Sequence, residues 1–357
     1  MSVEDCLIEF KDQINKELKK FFKYKIEQVK SDKKPKELVE MIENLEKFTL
    51  NSGKRIRPIL FYFGYIIGGG KNKSEAMKIS VSIELIHSYF LIHDDIIDCD
   101  NFRHGGLSMH YNYEKKAENN FRNIDIKHFG VSMAIIIGDL SASFGYEVLN
   151  SSDFENDLKI KALNDLDKII CNTIFGQALD ISLSKDNNFN VDMIFEMQKY
   201  KTAKYTIEGP LHLGAILAGA DEKFLNSLSD YAIPIGIAFQ IQDDIIGIFG
   251  NKEKTGRLIG SDIKEGKRTL LFSKAIENAN DVQKQTLNDI FGNKNISSAD
   301  IEKVKNIIIE TGSLKFSTNK AEELIEYAKK SLKNLEVSEK NREFLTDLTD
   351  FVVHRKY

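Results

Sequence analysis

An all-α fold is the expectation for this 357-residue chain, and three observations carry it. Only four prolines occur (Pro35, Pro58, Pro210 and Pro234), apolar residues recur every three or four positions over long stretches, and strand-like alternation is scarce.

From Val3 to Val29, Leu7, Ile8, Phe10, Ile14, Leu18, Phe21, Phe22, Ile26 and Val29 make one helical stripe, which Lys33-Lys34-Pro35 ends. The same periodicity predicts helices over 36–49, 54–67, 74–100, 128–150, 156–184, 191–219, 222–249, 267–279, 299–311, 318–333 and 339–353. Breaks rich in glycine or charge fall at 68–73, 101–108 and 250–266, the last two directly after helix ends that carry aspartates. No short repeat and no low-complexity tract interrupts the pattern, so a single domain over 1–357 is expected, its motifs concentrated in about 50–270.

Apolar residues make up 42% and charged residues 29%, ordinary globular usage that argues against disorder and against a membrane protein. With 50 basic and 54 acidic residues the formal net charge is −4, so no nucleic-acid partner is expected. Cys6, Cys99 and Cys171 are odd in number, far apart and without C-x-x-C spacing, which fits a reducing, cytoplasmic compartment. The start is acidic and polar and no run of 18 apolar residues occurs, so neither a secretion signal nor a membrane span is expected.

Two apolar helical runs end in aspartates. In 83–98 (Ile-Glu-Leu-Ile-His-Ser-Tyr-Phe-Leu-Ile-His-Asp-Asp-Ile-Ile-Asp), Asp94 and Asp98 stand four apart on one face; in 233–248, Asp243 and Asp244 lie among large aliphatic residues. Two carboxylates about 6 Å apart repel by about 3 kcal/mol at an effective dielectric near 20, and an apolar setting adds desolvation, so such pairs call for a cation. Oxygen donors without histidine–cysteine spacing favour a hard ion, magnesium rather than zinc.

Cationic residues surround these pairs. Gly53-Lys54-Arg55-Ile56-Arg57-Pro58 sets Lys54 and Arg57 three apart at a helix start, where both can converge on one anion such as diphosphate, although such residues are also common on solvated surface. Arg103-His104 follows the first cluster, Lys201-Thr202 opens a largely apolar helix, and Arg257 and Lys267 bracket a glycine-punctuated loop after the second.

Asp94-Asp95-Ile96-Ile97-Asp98 resembles the first aspartate-rich motif, D-D-x-x-D, of the trans-isoprenyl diphosphate synthase family. The chain is similar to that family also at Gly53 through Pro58, Glu84-Leu85-Ile86-His87, Gly138-Asp139, Gly176-Gln177 with Asp180, Lys201-Thr202-Ala203, Phe239-Gln240 and Gly260-Ser261-Asp262. The resemblance implies an all-α class I isoprenoid synthase bundle around a central cavity, and a homodimer. It implies that Asp94, Asp98 and Asp243 hold Mg2+, three ions once substrate is bound, on an allylic diphosphate that Arg103, Lys201, Thr202, Gln240, Arg257 and Lys267 also grip. Lys54, Arg57, His87 and His104 would hold isopentenyl diphosphate, and Asp94, Asp98, Lys201 and Asp243 are the catalytic set.

Three positions depart from the family pattern: His104 for a second arginine, Gly247 for the last aspartate of the second motif, and Arg257 for a lysine. Histidine is the weaker, pH-sensitive anion ligand, so a raised KM for isopentenyl diphosphate is expected. Gly247 leaves Asp243 and Asp244 in place and is not read as inactivation.

The implied chemistry needs no protein nucleophile: the diphosphate leaves, the isopentenyl double bond attacks the allylic cation, and a proton is lost in an apolar cavity that excludes water. Tyr89 and Phe90, five and four residues before Asp94, could floor the tail cavity or serve as core aromatics. As a floor they imply short products, farnesyl or geranylgeranyl diphosphate. A terpene cyclase would have no need of the Lys54, Arg57 and His87 grip, and a non-catalytic helical subunit of a heteromeric synthase would be expected to have lost metal or phosphate ligands.

Overall fold

The computed structural model describes residues 3–51, 53–103, 105–184, 190–250 and 260–353. As expected, the described residues are nearly all helical, apart from a two-residue antiparallel pair, β1 (Phe102–Arg103) with β2 (Gly106–Leu107). They divide into two compact units: one takes in residues up to Leu163 together with Leu213–Gly219, the other Asn164–His212 together with the residues from Ala220 onward.

The first unit contains α1 (Val3–Ser31), α2 (Lys36–Leu50), α3 (Ile56–Ile67), α4 (Lys73–Ile79), α5 (Val81–Ile97), α6 (Met109–Asn120) and α7 (Ile126–Asn150). Its centre is the pairing of α5 with α7. Ile83, Leu85 and Ile86 of α5 are fully buried, each contributing about 1.5–3 kcal/mol. Two serines tie the helices across this interface: Ser82 Oγ donates to the Gly145 carbonyl at 2.7 Å and Ser141 Oγ to the Leu85 carbonyl at 2.8 Å. The backbones approach so closely that a Cβ at Gly145 would lie 2.8 Å from Ile86. These contacts hold the first half of α5, which carries Glu84 and His87, against α7.

The second unit is centred on α11 (Glu222–Phe249), which packs against helix Ser313–Ser331 and against Lys199–Glu208, a ten-residue π-helix between α9 (Val191–Gln198) and α10 (Gly209–Leu217). Asn190 and Asp221 cap α9 and α11, accepting from the N–H groups of Met193 and Phe224 at 2.9 and 2.8 Å. The helices Leu270–Asn278, Asp281–Ile290 and Ser298–Glu310 close an apolar cluster with Ile248 at the end of α11, around Leu271, Phe272, Leu287 and Val304.

Several predicted elements are corrected. The helix over 74–100 is two, interrupted at Ser80, whose Oγ donates to the Met77 carbonyl at 2.7 Å. The helix over 191–219 is α9, the π-helix and α10 in succession. Helices Met109–Asn120 and Asp281–Ile290 and the short Ser261–Glu265 were not expected, and the predicted break at 101–108 contains the β1–β2 pair. By length and composition α7 and α11 could each cross a membrane; both are central helices of their units, and core helices meet the same test.

Candidate active site

In the first unit, Asp94 and Asp98 lie at the C-terminal end of α5, where Asp98 caps the helix by giving its N–H to the Asp94 carbonyl at 2.8 Å. The last carbonyls of a helix carry partial negative charge, so two carboxylates there are disfavoured unless a cation joins them. Asp95, between them, is fully buried. Arg103 donates its Nε to Asp95 Oδ1 at 2.7 Å and a second guanidinium nitrogen to the same oxygen. Burial pushes the Asp95 carboxyl up to about 7, against the pull of Arg103. The β1–β2 turn, with Gly105 at φ +80°, delivers Arg103 to this place. His104 lies outside the described residues, as do Arg257 and the basic end His354-Arg355-Lys356.

Two turns back along α5, His87 Nε2 is 3.0 Å from Arg57 Nη1. A guanidinium only donates, so the ring nitrogen accepts and the neutral ring carries its proton on Nδ1. Arg57 belongs to the first turn of α3, one turn beyond the exposed Lys54, so the structure brings Arg57 and His87 together with Lys54 close by in sequence. Tyr89 and Phe90 are half-buried with ring centroids 4.7 Å apart. They do not point alike: Phe90 shares the face of Asp94, whereas Tyr89 packs edge-on against His93 and, through burial first and Asp139 second, has its hydroxyl pKa raised.

In the second unit the π-helix places Lys201 and Thr202. It is flanked tightly: a Cβ at Gly176 of α8 (Asn156–Leu183) would meet the Lys201 backbone nitrogen at 2.2 Å, and one at Gly236 of α11 would meet the Ala203 Cα at 2.4 Å. Lys201 Nζ donates to Asp180 Oδ2 at 2.5 Å. Thr202 Oγ1 donates to Gln240 Oε1 at 2.8 Å, Gln240 Nε2 to Asp244 Oδ1 at 2.7 Å, and Gln198 Nε2 to Asp244 Oδ2 at 3.3 Å. Burial, then the charges of Asp262 and Asp243, push the Asp244 carboxyl well above the usual carboxylate range. Asp244 is thus the anchored aspartate of the pair, and Asp243, less buried, is the one turned outward. Lys267 Nζ lies 2.6 Å from Glu265 and 3.7 Å from Asp262.

Gly247, at the position where an aspartate is usual, is itself packed: a Cβ there would lie 2.6 Å from Asp262 Oδ2. Asp180, Gln198 and Asp262 thus join the site as partners of the residues named from sequence. Asp180 and Asp262 lay inside motifs already noted; Gln198 carried no signal, because its contact with Asp244 spans 46 positions.

Among the described residues no three histidine, cysteine or acidic side chains converge into a closed metal cage. A few carboxylates at helix C-termini, with cationic side chains beside them, fit magnesium held jointly by protein and substrate phosphates.

The sequence model of the Polyprenyl synthetase family matches residues 38–308. The chain belongs to this family. As a polyprenyl synthetase-family member it is a prenyltransferase, and its all-α fold is the class I isoprenoid synthase fold. It is similar to a geranylgeranyl diphosphate synthase of Saccharolobus solfataricus, 31% identical over 85% of this chain and 87% of that one. It is likewise similar to a geranylfarnesyl diphosphate synthase of Aeropyrum pernix, 29% identical over 85% and 90%. Among solved structures, the geranylgeranyl pyrophosphate synthase of Corynebacterium glutamicum complexed with isoprenyl diphosphate and magnesium superposes with a TM-score of 0.91 at 31% identity, over 97% of this chain and 99% of that one.

Proposed function

We propose that the chain condenses isopentenyl diphosphate with dimethylallyl, geranyl or farnesyl diphosphate, releasing diphosphate and forming farnesyl or geranylgeranyl diphosphate. The observation that carries this is the single line of functional groups on α5: His87 paired with Arg57, then Phe90, then Asp94 and Asp98 one and two turns further. An anion grip, an apolar ring and a metal-seeking carboxylate pair in that order suit a substrate with a charged head and a hydrocarbon tail.

Magnesium, when bound, supplies positive charge to the departing diphosphate, with Asp94, Asp98 and Asp243 as its protein ligands. Arg103, Lys201, Thr202, Gln240, Arg257 and Lys267 orient and neutralise the allylic diphosphate; Lys54, Arg57, His87 and His104 hold isopentenyl diphosphate. Phe90 and Tyr89 limit the space for the growing tail and keep water from the allylic cation. The family match runs unbroken from residue 38 to 308, which supports one synthase domain, and the named relatives are synthases, which favours condensation over cyclisation or a non-catalytic subunit role. We place the enzyme in the cytoplasm as a homodimer with three magnesium ions in the substrate complex.

The deciding assay incubates purified protein with magnesium, labelled isopentenyl diphosphate and each allylic primer in turn, then separates the dephosphorylated products. Fifteen- or twenty-carbon alcohols are expected; a twenty-five-carbon product would revise the chain length, and no product from any primer would overturn the reading.

A further inference from the structure

The turn that carries Lys54 and Arg57 is built around the residue between them. Arg55 is 4% exposed, and its backbone stands in the left-handed region at φ +55°, ψ +33°. A side chain persists in that conformation only where its surroundings hold it. Here they do: Arg55 Nε donates to Asn15 Oδ1 of α1 at 2.9 Å, and Nη1 donates to Glu84 Oε1 of α5 at 2.5 Å. Glu84 is 5% exposed and lies three residues, one helical turn, before His87. The guanidinium also folds back over Gly53, where a Cβ would lie 2.9 Å from Nη1, so the turn admits no larger side chain at that position without displacing the arginine.

Two rungs therefore join the 53–58 turn to α5: Arg55 to Glu84, fully enclosed, and one turn along, Arg57 to His87 at 3.0 Å. The first rung has no access to substrate; the second is where the anion is gripped. We propose that Arg55 is a positioning residue: braced by Glu84 and Asn15, it sets the placement of Lys54, Arg57 and His87 for isopentenyl diphosphate. The inference rests on the assignment of that grip to isopentenyl diphosphate. The planar fork of arginine reaches α1 and α5 in fixed directions, which the single ammonium of lysine does not reproduce.

The test uses the full-length protein with Arg55→Lys, Arg55→Gln and Asn15→Ala, each checked by circular dichroism melting. Affinity for isopentenyl diphosphate is read by calorimetry and KM for both substrates by steady-state assay. Arg55→Gln is expected to raise the KM and Kd for isopentenyl diphosphate tenfold or more while the allylic KM stays within twofold, and Arg55→Lys to recover only part of that loss. Asn15→Ala, which keeps the Arg55–Glu84 pair, is expected to give a smaller selective rise and serves if Arg55→Gln does not fold. Unchanged affinity in folded variants, or equal weakening for both substrates, overturns the positioning role. Failure of the unaltered protein to bind isopentenyl diphosphate overturns the functional reading beneath it.

Discussion

Arg103 closes its guanidinium on the fully buried carboxylate of Asp95, the middle aspartate of the first motif, while the two aspartates on either side of Asp95 are only partly buried. The motif therefore divides into two outward carboxylates, the proposed ligands, and one inward anchor. Asp95→Ala leaves a guanidinium facing a vacated, buried site, and removing one partner of such a pair costs about 3 kcal/mol. The expected result is a clear drop in the urea midpoint together with a raised allylic KM. Asp95→Asn, which still accepts from Arg103, should lose less of both.

Tyr89 and Phe90 touch ring to ring at 4.7 Å, so each holds the other in place. Either Tyr89→Ala or Phe90→Ala is expected to lengthen the product, and the double variant to lengthen it by other than the sum of the single effects. Chromatography of dephosphorylated products reads this directly. Unchanged chain length in both single variants would make the two rings ordinary core aromatics.

Installing the usual aspartate at position 247 should harm the enzyme. The new side chain would start 2.6 Å from Asp262 Oδ2, so the end of the Asp262 side chain must turn aside and a like charge is set beside it. Gly247→Asp is expected to lower both Tm and kcat/KM, and adding Asp262→Ala to recover part of the Tm. A gain in activity from the single substitution would show that Asp262 yields easily.

The acid limb of stability has a local contributor. The hydroxyl and the backbone N–H of Ser297 both donate to Asp300 Oδ2, at 2.7 and 3.1 Å, and hold its carboxyl down at about 2 against an ordinary 3.8. A carboxyl with a folded pKa below its unfolded one contributes stability that is complete above about 4 and lost as pH falls toward 2. Ser297→Ala should move the Asp300 titration, followed by NMR, back toward 3.8 and flatten that limb.

The long amphipathic helices were legible because burial and periodicity coincide in them, as in α1, where Ile14, Leu18 and Phe22 are fully buried four residues apart. Helix α6 was not, since its sequence, Met-His-Tyr-Asn-Tyr-Glu-Lys-Lys-Ala-Glu-Asn-Asn, is polar almost throughout and its place is set by docking, chiefly on α7. Outward site residues could be named from motif spacing. Inward ones could not: Arg55 finds Asn15 and Glu84 at separations of 40 and 29 residues, and a buried arginine contradicts the ordinary expectation for its type.

The π-helix of Lys199–Glu208 has a consequence for how this chain tolerates change. Turns closed by i to i+5 bonds take in more residues than the α-turns on either side, so the segment behaves as a tolerated insertion in an otherwise continuous rod. Deleting one residue within it would let the α register run through, leaving the flanking helices nearly in phase but re-aiming the side chains that the wide turns carry. Lys201 and Thr202 would then leave Asp180 and Gln240, although every residue type in the motif survived. In this stretch spacing is as much inherited information as composition, and a length change should be far less forgiving than a substitution.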